Sequence, residues 1–482
     1  MKKLEVEIIN LDHFGRGIAK KDKPIFIDNA LVGEVVEIEI TKDKKKYSEG
    51  KVINYIKKSP LRVESDCPYY DKCGGCDLLH LSYEEQLKYK ENKVKEIIKK
   101  FSGLECVNKI VPSVQYNYRN KVTLHVNKKV GYYQKKSYDI IAIDKCLIAD
   151  NKINNLIKKL NNIDLNTISK IMIRASSKET MLVVDGGEID TDFFKEVDTI
   201  IVDNKILKGR GYIIEEFDNL KFVISPNSFF QVNRLGMINI YNQVLKYVDN
   251  NTNVLDLYCG TGTIGIYLAS KVNQVLGIEI NESAINDALL NKKINNLNNI
   301  EFKLGDVGTV LNNYNFKADC IVVDPPRAGL DNLAIKNILK ITPQKLIYVS
   351  CDPVTLARDL NLLSNDYSVL EITPFDMFSN TYHVECVCLL EEKMFRYLDN
   401  LKYKFSNNKV SIFNKTKEIG FCEFVEDNDT WNIIHTVVLD EYQGQGIAKK
   451  LVDYVILKAK ENNKILTADC SYAKKVIDNL NK

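Results

Sequence analysis

The pattern of apolar and polar residues divides the first half of the chain into a strand-rich segment and a mixed one. Residues 1–58 alternate apolar and polar positions in short runs joined by glycines, which predicts a small β-barrel. Residues 83–100 repeat with the period of a helix, and we expect the lysine-rich face of this helix to be solvated. Residues 110–210 mix strands with one helix around residues 150–162, which predicts an α+β region.

The second half of the chain has a different pattern. Strand-like and helix-like segments alternate from about residue 213 to residue 392, which predicts an α/β fold with a Rossmann-like doubly wound sheet. Strand-like runs and a helix follow, and they predict a further small α+β domain. We therefore expect four domains, with the boundaries 1–58, 59–212, 213–395 and 400–482.

Composition and charge narrow the class of protein. The 482 residues are 45% hydrophobic and 27% charged, which are ordinary values for a globular protein. No apolar run approaches the roughly 18 residues that a membrane span needs, and Met1 begins a lysine-bearing strand, so we expect a cytoplasmic protein with no membrane partner. The net charge of +3 requires any nucleic-acid surface to be a local patch. Nothing demands more than a monomer, and we expect one.

The segment VLDLYCGTGTIG, residues 254–265, predicts a buried strand, a glycine turn and a helix. Asp256 lies near the end of that strand, and Glu279 ends the next strand in LGIEI. A ligand can approach bare backbone at such a turn, and an acidic residue on the next strand can accept hydrogen bonds from a ribose diol. The spacing is not that of NAD or ATP motifs. It resembles the S-adenosylmethionine pocket of Rossmann-type methyltransferases.

Polar residues end two further strands of the predicted sheet, and another lies in the hairpin that closes it. ADCIVVDPPRAGL leads to Asp324, KLIYVSCDP leads to Cys351, and Glu385 lies in the closing hairpin. Ligands bind at the carboxyl edge of such sheets. A cysteine and a carboxylate there suit methylation of a uracil ring, in which a thiolate adds to C6, C5 attacks a methyl sulfonium and a base removes the C5 proton. The alternatives are a buried structural cysteine and a surface carboxylate.

The segment CPYYDKCGGC predicts a metal centre. Cys67, Cys73 and Cys76 are spaced C-x5-C-x2-C, and the intervening glycines let the backbone wrap around a metal. The fourth ligand is Cys106 or Cys146. Twelve cysteines in a cytosolic chain argue for metal binding or catalysis where they cluster. Zinc and an iron–sulfur cluster both accept four thiolates, so the spacing leaves the metal open.

Both ends of the chain carry motifs of smaller domains. GRGIA at residues 15–19 and LVGE at residues 31–34 resemble a TRAM domain, an OB-like RNA-binding barrel, and the basic loop 42–47 suits phosphate contact and base stacking. Residues 443–448 fit Q-x-x-G-x-A, a loop whose amides can hold a pyrophosphate at a helix start. This C-terminal segment resembles a short GNAT-type domain. We expect it to be an acyl-CoA-binding or vestigial module and not a catalytic acetyltransferase.

Several motifs together resemble one family. FFQVN, DLYCGTGTIG, DPPRAGL, SCDP and DMFSNTYHVE follow each other in this order, after the barrel and the cysteine segment. Over residues 1–392 they resemble the RNA uracil-5-methyltransferase family, and within it the bacterial 23S rRNA type. The chain departs from the family pattern at Asp352, where many relatives carry Asn, and at Ser379 and Asn380, which replace a Pro-His pair. The C-terminal domain is not part of the family's usual plan.

This resemblance implies S-adenosylmethionine-dependent methylation of a uridine at C5 in 23S rRNA. It implies Cys351 as the nucleophile that forms the adduct at C6 and Glu385 as the base. The residues implied for S-adenosylmethionine are Gln231, Tyr258, Glu279 and Asp324, with Asp306 on the adenine side. The ligands implied for a [4Fe-4S] cluster of structural or RNA-docking role are Cys67, Cys73, Cys76 and Cys146. The alternatives are tRNA as substrate, a non-catalytic RNA-binding scaffold, and an independent acyltransferase at the C-terminus.

Overall fold

The structure is a computed structural model. The residues that it describes are 3–307, 309–310, 316–393, 401–406 and 408–480. The chain forms two compact units, Met1–Asn365 with Val369–Leu390, and Glu391–Lys482 with Asp366–Ser368. In the described part of the chain, no helix has the length and apolar character needed to cross a membrane.

The first unit begins with a six-stranded sheet in the order β1-β5-β6-β4-β3-β2. Its strands are β1 (Lys3–Glu7), β2 (Asn10–Leu11), β3 (Gly17–Lys20), β4 (Pro24–Asp28), β5 (Val35–Asp43) and β6 (Ser48–Lys57). Alternate residues such as Ile27, Val36 and Ile38 are buried and form its core, as the period of two requires. The predicted basic loop is the tip between β5 and β6, where Lys44, Lys45 and Lys46 are exposed.

A seven-stranded sheet follows in the order β13-β12-β11-β10-β7-β8-β9. Its strands are β7 (Lys121–Asn127), β8 (Lys129–Tyr133), β9 (Ile140–Ala142), β10 (Lys170–Ala175), β11 (Thr180–Asp185), β12 (Thr199–Val202) and β13 (Lys205–Lys208). Two helices accompany it, α1 (Tyr83–Ser102) and α2 (Asn151–Leu160). The apolar face of α2 is buried in the core of this sheet. A hairpin of β14 (Ile213–Phe217) and β15 (Leu220–Ile224) comes next.

The lysine-rich face of α1 is not uniformly solvated, and the prediction that it would be is wrong. Lys90 has none of its surface exposed, and Gln86 is 1% exposed. Acidic residues in the first turn and lysines in the last turn complement the helix dipole, and Gly103 ends the helix in the left-handed conformation (φ 71°). The helix therefore forms for local reasons, while its buried polar residues reflect tertiary contacts.

The second seven-stranded sheet has the order β18-β17-β16-β19-β20-β22-β21, and its first five strands in this order pair in parallel. Its strands are β16 (Asn253–Leu257), β17 (Gln274–Glu279), β18 (Ile300–Leu304), β19 (Cys320–Val323), β20 (Lys345–Ser350), β21 (Tyr367–Phe375) and β22 (Glu385–Glu392). Its helices are α3 (Arg234–Leu245), α4 (Thr263–Ala269), α5 (Glu282–Ile294), α6 (Asn332–Ile341) and α7 (Pro353–Leu363). The strand order reverses between β16 and β19, which opens a ligand crevice at their carboxyl ends.

The second unit is a small α+β domain. Its sheet contains β23 (Lys402–Ser406), β24 (Lys409–Asn414), β25 (Lys417–Asp427), β26 (Thr430–Val438) and β27 (Ile465–Ala468), in this order. Its helices are α8 (Ile447–Glu461) and α9 (Ser471–Leu480). The core of the unit packs one face of α8 with the sheet, through Leu451, Val455, Ile412 and Trp431. The architecture matches the α/β fold with flanking barrel and small α+β domain that the sequence predicts.

Candidate active site and cysteine centre

The glycine turn after β16 leaves backbone open to a ligand. Tyr258, Gly260 and Gly262 all have positive φ, at 61°, 54° and 76°. A Cβ at Gly262 would lie 2.4 Å from Cζ of Phe302, so only glycine fits there. A Cβ at Gly260 would meet no atom within 4 Å, so the space above this peptide is open. A ligand can therefore approach the backbone at Gly260.

Glu279, at the end of β17, holds this turn in place. Its carboxylate accepts hydrogen bonds from the backbone N–H of Gly260 at 3.0 Å and of Asn281 at 2.8 Å. A carboxylate has lone pairs for further donors, so the hydroxyls of a ribose can bind there as well. The turn and the predicted ribose-binding residue therefore form one unit.

Asp256, at the centre of the motif, is buried and only partly satisfied. Its Oδ2 accepts a hydrogen bond from the backbone N–H of Gly265 at 3.0 Å, and its Oδ1 has no partner among the described residues. Burial raises the pKa of Asp256 to about 8, with smaller contributions from the charges of Asp324 and Glu279, while the hydrogen bond from Gly265 lowers the pKa. A carboxyl with so high a pKa is largely protonated near neutral pH, and a cation beside it favours its ionised form, so this edge of the sheet can respond to a cationic ligand such as a sulfonium.

A cavity of about 150 Å³ lies beside the turn. Tyr258, Glu279 and Asp306 line it, as the resemblance implies, and Ile280 and Asp331 also line it. Ile280 is 71% exposed, which is high for an isoleucine. An apolar side chain next to Glu279, the predicted ribose-binding carboxylate, can pack against a purine. Ile280 and Asp331 were not predicted. The signal for Ile280 is its place directly after the strand-ending glutamate.

Cys351, Glu385 and Asp324 lie together at the same edge. Cys351 directly follows β20, Asp324 directly follows β19, and Glu385 is the first residue of β22. Burial, followed by the charge of Asp324, raises the pKa of Glu385 to about 8. Burial also raises the pKa of Cys351 to about 12, with contributions from Glu385 and Asp324. The charges of Glu385 and Asp324 thus act on Cys351, and the charge of Asp324 acts on Glu385, as expected for side chains at one edge of the sheet.

Arg327 also belongs to this group. It lies in the DPPRAGL motif, and the sequence alone assigned it no role. Its charge lowers the pKa of Cys351 and of Glu385, against the effects of burial and of Asp324. Its guanidinium lies 3.4 Å from Nδ1 of His383, the residue two before Glu385. Arg327 is thus a cation whose charge lowers the pKa of both proposed catalytic groups. In the sequence, the clue to this role is its position four residues after the buried strand β19.

Gln231 lies in a different part of the site from the glycine turn. It is half-buried between Phe230 and Val232, which line the cavity of the cysteine segment, and it is not one of the residues lining the smaller cavity. Its backbone carbonyl accepts a hydrogen bond from Nδ2 of Asn120 at 3.0 Å. Tyr258 and Glu279 therefore line the same cavity, whereas Gln231 lies in the segment that borders the cysteine cavity.

The four predicted ligand cysteines surround one cavity of about 480 Å³. Cys67, Cys73 and Cys76 come from one segment, and Cys146 joins them from the segment after β9. Burial raises the pKa of Cys76 well above its ordinary value, and the other three thiols contribute. Cys106 instead interacts with Glu371 and does not line this cavity, so Cys146 is the fourth thiol of the group.

The spacing of these thiols matters for the kind of metal. Within the described ranges, no three Cys, His, Asp or Glu side chains converge closely enough to hold a single metal ion. Zinc needs Zn–S distances of about 2.3 Å and hence touching sulfurs. The four cysteines line one cavity, and four thiols are a donor set that a [4Fe-4S] cluster uses, as zinc also does. The residues present fit a cluster of that kind.

The departures from the family pattern have structural roles. Asp352 begins α7 by accepting hydrogen bonds from the N–H of Val354 at 2.8 Å and of Thr355 at 3.2 Å. Ser379 and Asn380 are fully buried. The backbone carbonyl of Asn380 accepts hydrogen bonds from the N–H of Asp77 at 2.9 Å and of Leu78 at 3.0 Å. The segment that follows Cys76 is therefore attached to the loop that precedes Glu385.

Comparison with known proteins identifies the domains. The family model described as tRNA (uracil-5-)-methyltransferase matches residues 197–305 and 301–393. The TRAM domain model matches residues 2–53, and the model of GCN5-related N-acetyl-transferases matches residues 408–481. The predicted TRAM and GNAT-like resemblances are therefore confirmed.

Relatives cover most of the chain. An uncharacterized RNA methyltransferase of Clostridium tetani is 36% identical over 78% of this chain and 93% of that protein. Another, of Halalkalibacterium halodurans, is 34% identical over 81% of this chain and 97% of that protein. The crystal structure of a Pyrococcus abyssi tRNA (uracil-54, C5)-methyltransferase with S-adenosyl-L-homocysteine superposes with a TM-score of 0.69 at 30% identity. It covers 80% of this chain and 99% of that one.

The matches and the site agree with each other. The family model covers the sheet whose carboxyl edge carries Asp324, Cys351 and Glu385, and the relatives extend the similarity through the barrel and the cysteine segment. This chain belongs to the RNA uracil-5-methyltransferase family.

Proposed function

We propose that this protein transfers a methyl group from S-adenosylmethionine to C5 of a uridine in RNA, with Cys351 as the nucleophile and Glu385 as the base. One observation carries the proposal. The Cys351 thiol and the buried carboxyl of Glu385, whose charge raises the pKa of that thiol, lie at the edge of the sheet that also holds the glycine turn. That pair is what uracil methylation at C5 requires, because the ring carbon must first be activated and then lose its proton.

The first half of the reaction uses the Cys351 thiol. Its Sγ adds to C6 of the uracil as the thiol proton leaves, and the electron pair of the C5–C6 bond moves toward C5 and O4. The pKa of about 12 disfavours a free thiolate, so loss of the proton has to accompany addition or follow a gain of positive charge nearby. Arg327 supplies part of that charge, since it lowers the pKa of Cys351.

The second half uses Glu385. C5 attacks the methyl carbon of the bound sulfonium donor, the bond between that carbon and the sulfur breaks, and the donor leaves as a neutral thioether. Glu385 then takes the C5 proton, the C5–C6 double bond re-forms, and Sγ of Cys351 departs from C6. Glu385 must be ionised to act, and its pKa of about 8 falls when a cation lies beside it. The positive charge of the methyl donor is such a cation, so binding of the donor prepares the base.

The proposed pocket for S-adenosylmethionine lies at the same carboxyl edge of the sheet. Glu279 accepts hydrogen bonds from the ribose hydroxyls beside the open peptide of Gly260. Tyr258 and Asp306 flank the adenine in the smaller cavity. Asp324 is half-buried with its pKa raised to about 7, and it and Gln231 are the further residues assigned to the donor in this proposal.

The cysteine cavity holds a [4Fe-4S] cluster on Cys67, Cys73, Cys76 and Cys146 in this proposal. The support is the gathering of four thiols from two segments around one cavity. The reaction needs no electron transfer, so the cluster has a structural or RNA-docking role. Removal of iron should change the stability of this region and its affinity for RNA before it changes the chemistry.

The proposed substrate is 23S rRNA, on the strength of the motifs that resemble the bacterial rRNA type. A second candidate is tRNA, because the Pyrococcus protein acts on uridine 54 of tRNA. That protein covers 80% of this chain, far more than the methyltransferase sheet alone. The barrel and the central region are therefore no argument against tRNA, and only an assay separates the two substrates.

The C-terminal unit is proposed to bind acyl-CoA through the loop before α8. Gly444 and Gly446 both have φ 76°, and Gly446 begins the helix without a side-chain cap. The first N–H groups of α8 are thus available to a pyrophosphate.

The test of methylation follows label from S-adenosylmethionine into 23S rRNA and into tRNA, both lacking 5-methyluridine. Wild type should label C5 of uridine in 23S rRNA, and Cys351→Ala should label neither RNA. Cys386→Ala is the matched control, because this thiol is fully buried in β22 and should leave the chemistry intact. Label in tRNA alone would keep the mechanism and replace the substrate. Full activity of Cys351→Ala would exclude the covalent mechanism.

A further inference from the structure

One face of α1 carries buried polar side chains. Tyr83, Gln86, Lys90 and Lys93 are spaced by three or four residues and so lie on one side of the helix. All four donate hydrogen bonds to residues 376–382. This segment connects β21 to Glu385, the first residue of β22. We call these four residues the polar stripe of α1.

The strongest contact of the polar stripe is an ion pair without access to water. Nζ of Lys90 lies 2.5 Å from Oδ1 of Asp376, and the two side chains are 0% and 1% exposed. The same ammonium donates to the carbonyl of Phe378 at 2.9 Å, and the hydroxyls of Tyr83 and Ser379 donate to Oδ2 of Asp376 at 2.8 and 2.7 Å. A buried pair is retained only when its geometry satisfies both partners, so it fixes the start of the segment in one position.

Gln86 fixes the middle of the segment. Its Oε1 accepts a hydrogen bond from the N–H of Asn380 at 3.0 Å, and its Nε2 lies 3.2 Å from Oδ1 of the same residue. Nε2 also donates to the carbonyls of Leu78 at 3.0 Å and Leu81 at 2.9 Å. Asn380 has φ 67°, a conformation that asparagine tolerates but that needs support from its surroundings. Gln86 supplies that support by hydrogen bonding to both the backbone N–H and the side-chain Oδ1 of Asn380.

The same helix also contacts the element that follows the nucleophile. Lys93 donates to the carbonyl of Tyr382 at 2.9 Å, three residues before Glu385. Helix α1 packs against α7, which begins two residues after Cys351. Both proposed catalytic groups are thus adjacent in sequence to elements that α1 holds.

We propose that the polar stripe of α1 positions Glu385 for removal of the C5 proton, with Gln86 as the principal positioning residue, an inference that rests on the proposed function. The stripe touches neither substrate nor Glu385 itself and acts through residues 376–382. Misplacing a base by about 1 Å slows proton transfer by up to a hundredfold. Loss of Gln86 should therefore slow release of the methylated RNA from Cys351 more than it slows formation of the adduct.

The experiment separates these two steps on a denaturing gel. The full-length protein with its cysteine centre loaded is mixed with substrate RNA and labelled S-adenosylmethionine, and the fraction of protein covalently attached to RNA is followed with time. Glu385→Gln should accumulate labelled adduct, because elimination needs the base. Gln86→Leu should accumulate the same adduct and release it about ten- to a hundredfold more slowly than wild type. Asn92→Leu, at an exposed amide of the same helix, is the matched control and should behave as wild type.

Each outcome has one meaning. Accumulation of adduct by Gln86→Leu supports the positioning role, since general loss of structure would lower adduct formation as well. A Gln86→Leu protein that turns over as wild type does, or that loses methylation without accumulating adduct while remaining folded, overturns it. If Gln86→Leu does not fold, Lys93→Met carries the test, because Lys93 is only half-buried and forms a single hydrogen bond to the segment. Wild type that makes no 5-methyluridine, or Glu385→Gln that forms no adduct, would contradict the proposed function instead.

Discussion

The ionisation of Glu385 destabilises the fold that holds it. The side chain is 4% exposed, and burial followed by the charge of Asp324 raises its pKa to about 8 from an ordinary value of 4.5. A carboxyl whose pKa is higher in the folded state binds its proton more tightly there. Stability is then lost as the pH rises from about 4.5 through 8, because the folded protein must give up that proton.

Glu385→Gln should therefore be more stable than wild type at alkaline pH. The glutamine keeps the shape of the side chain and removes the ionisation, so the free energy of unfolding at pH 8.5 should rise by on the order of 3 kcal/mol. The gain should fall toward zero near pH 4.5, where wild type is protonated in both states. Urea unfolding of both proteins across this pH range measures the difference. Equal gains at pH 4.5 and 8.5 would show that ionisation is not the cause.

At the scale of elements, the cysteine segment and the methyltransferase sheet are interdependent. The N–H groups of Asp77 and Leu78 donate to the carbonyl of Asn380, and residues 107 and 111 form bridges to β21. Unfolding of residues 60–150 alone would break these contacts. Unfolding of this region should therefore also disturb the part of the catalytic sheet around residues 372–380.

Cys73→Ser should loosen both regions. Loss of one thiol should lower the iron bound per protein, and residues 60–80 should be cleaved faster by a protease. Backbone amides of residues 376–384 should exchange faster with solvent, because the attachment at Asn380 is weakened. Mass spectrometry of exchanged peptides measures this. Cys106→Ser is the matched control, because Cys106 lies outside the cavity. Protection of residues 376–384 that is unchanged in Cys73→Ser would contradict the link.

At the scale of the whole molecule, two compact units stand in one chain. The methyltransferase family model ends at residue 393, and the GCN5-related model begins at residue 408. The second unit has its own core, in which Phe424 and Trp431 stack with ring centroids 4.4 Å apart. A separate core and a separate family match favour a second binding function.

Gly444→Ala should weaken binding of acetyl-CoA to the full-length protein. A Cβ at Gly444 would meet no protein atom within 4 Å, so it would project into the space that a pyrophosphate needs. Isothermal titration calorimetry measures the affinity, and we expect at least about a tenfold loss, or about 1.4 kcal/mol. Gly33→Ala is the matched control, since Gly33 also has positive φ (81°) and open space but lies in the barrel. Equal losses in both variants, or no binding by wild type, would contradict the proposal.

The sequence by itself determined the elements and most of the reactive groups. The alternation of residues 1–58, the glycine turn after Asp256 and the helical period of α1 are local patterns, and backbone geometry converts each into one element. Cys351 was identifiable because parallel strands deliver their carboxyl ends to one edge, whereas Glu385 was identified from its place in the closing hairpin and from the family resemblance.

Only the tertiary structure decided which side chains act on each other. The period of α1 places Lys90 on the same face as the buried Val94 and Ile97, but it gives no sign of the partner of Lys90, Asp376, which lies almost 300 residues away. Arg327 and Ile280 likewise gain their roles from segments distant in sequence. The burial of a side chain and the effect of neighbouring charges on its pKa depend on distances in space. A single sequence does not contain those distances. The sequence therefore determined the reactive groups, and the folded chain determined their ionisation and their positions.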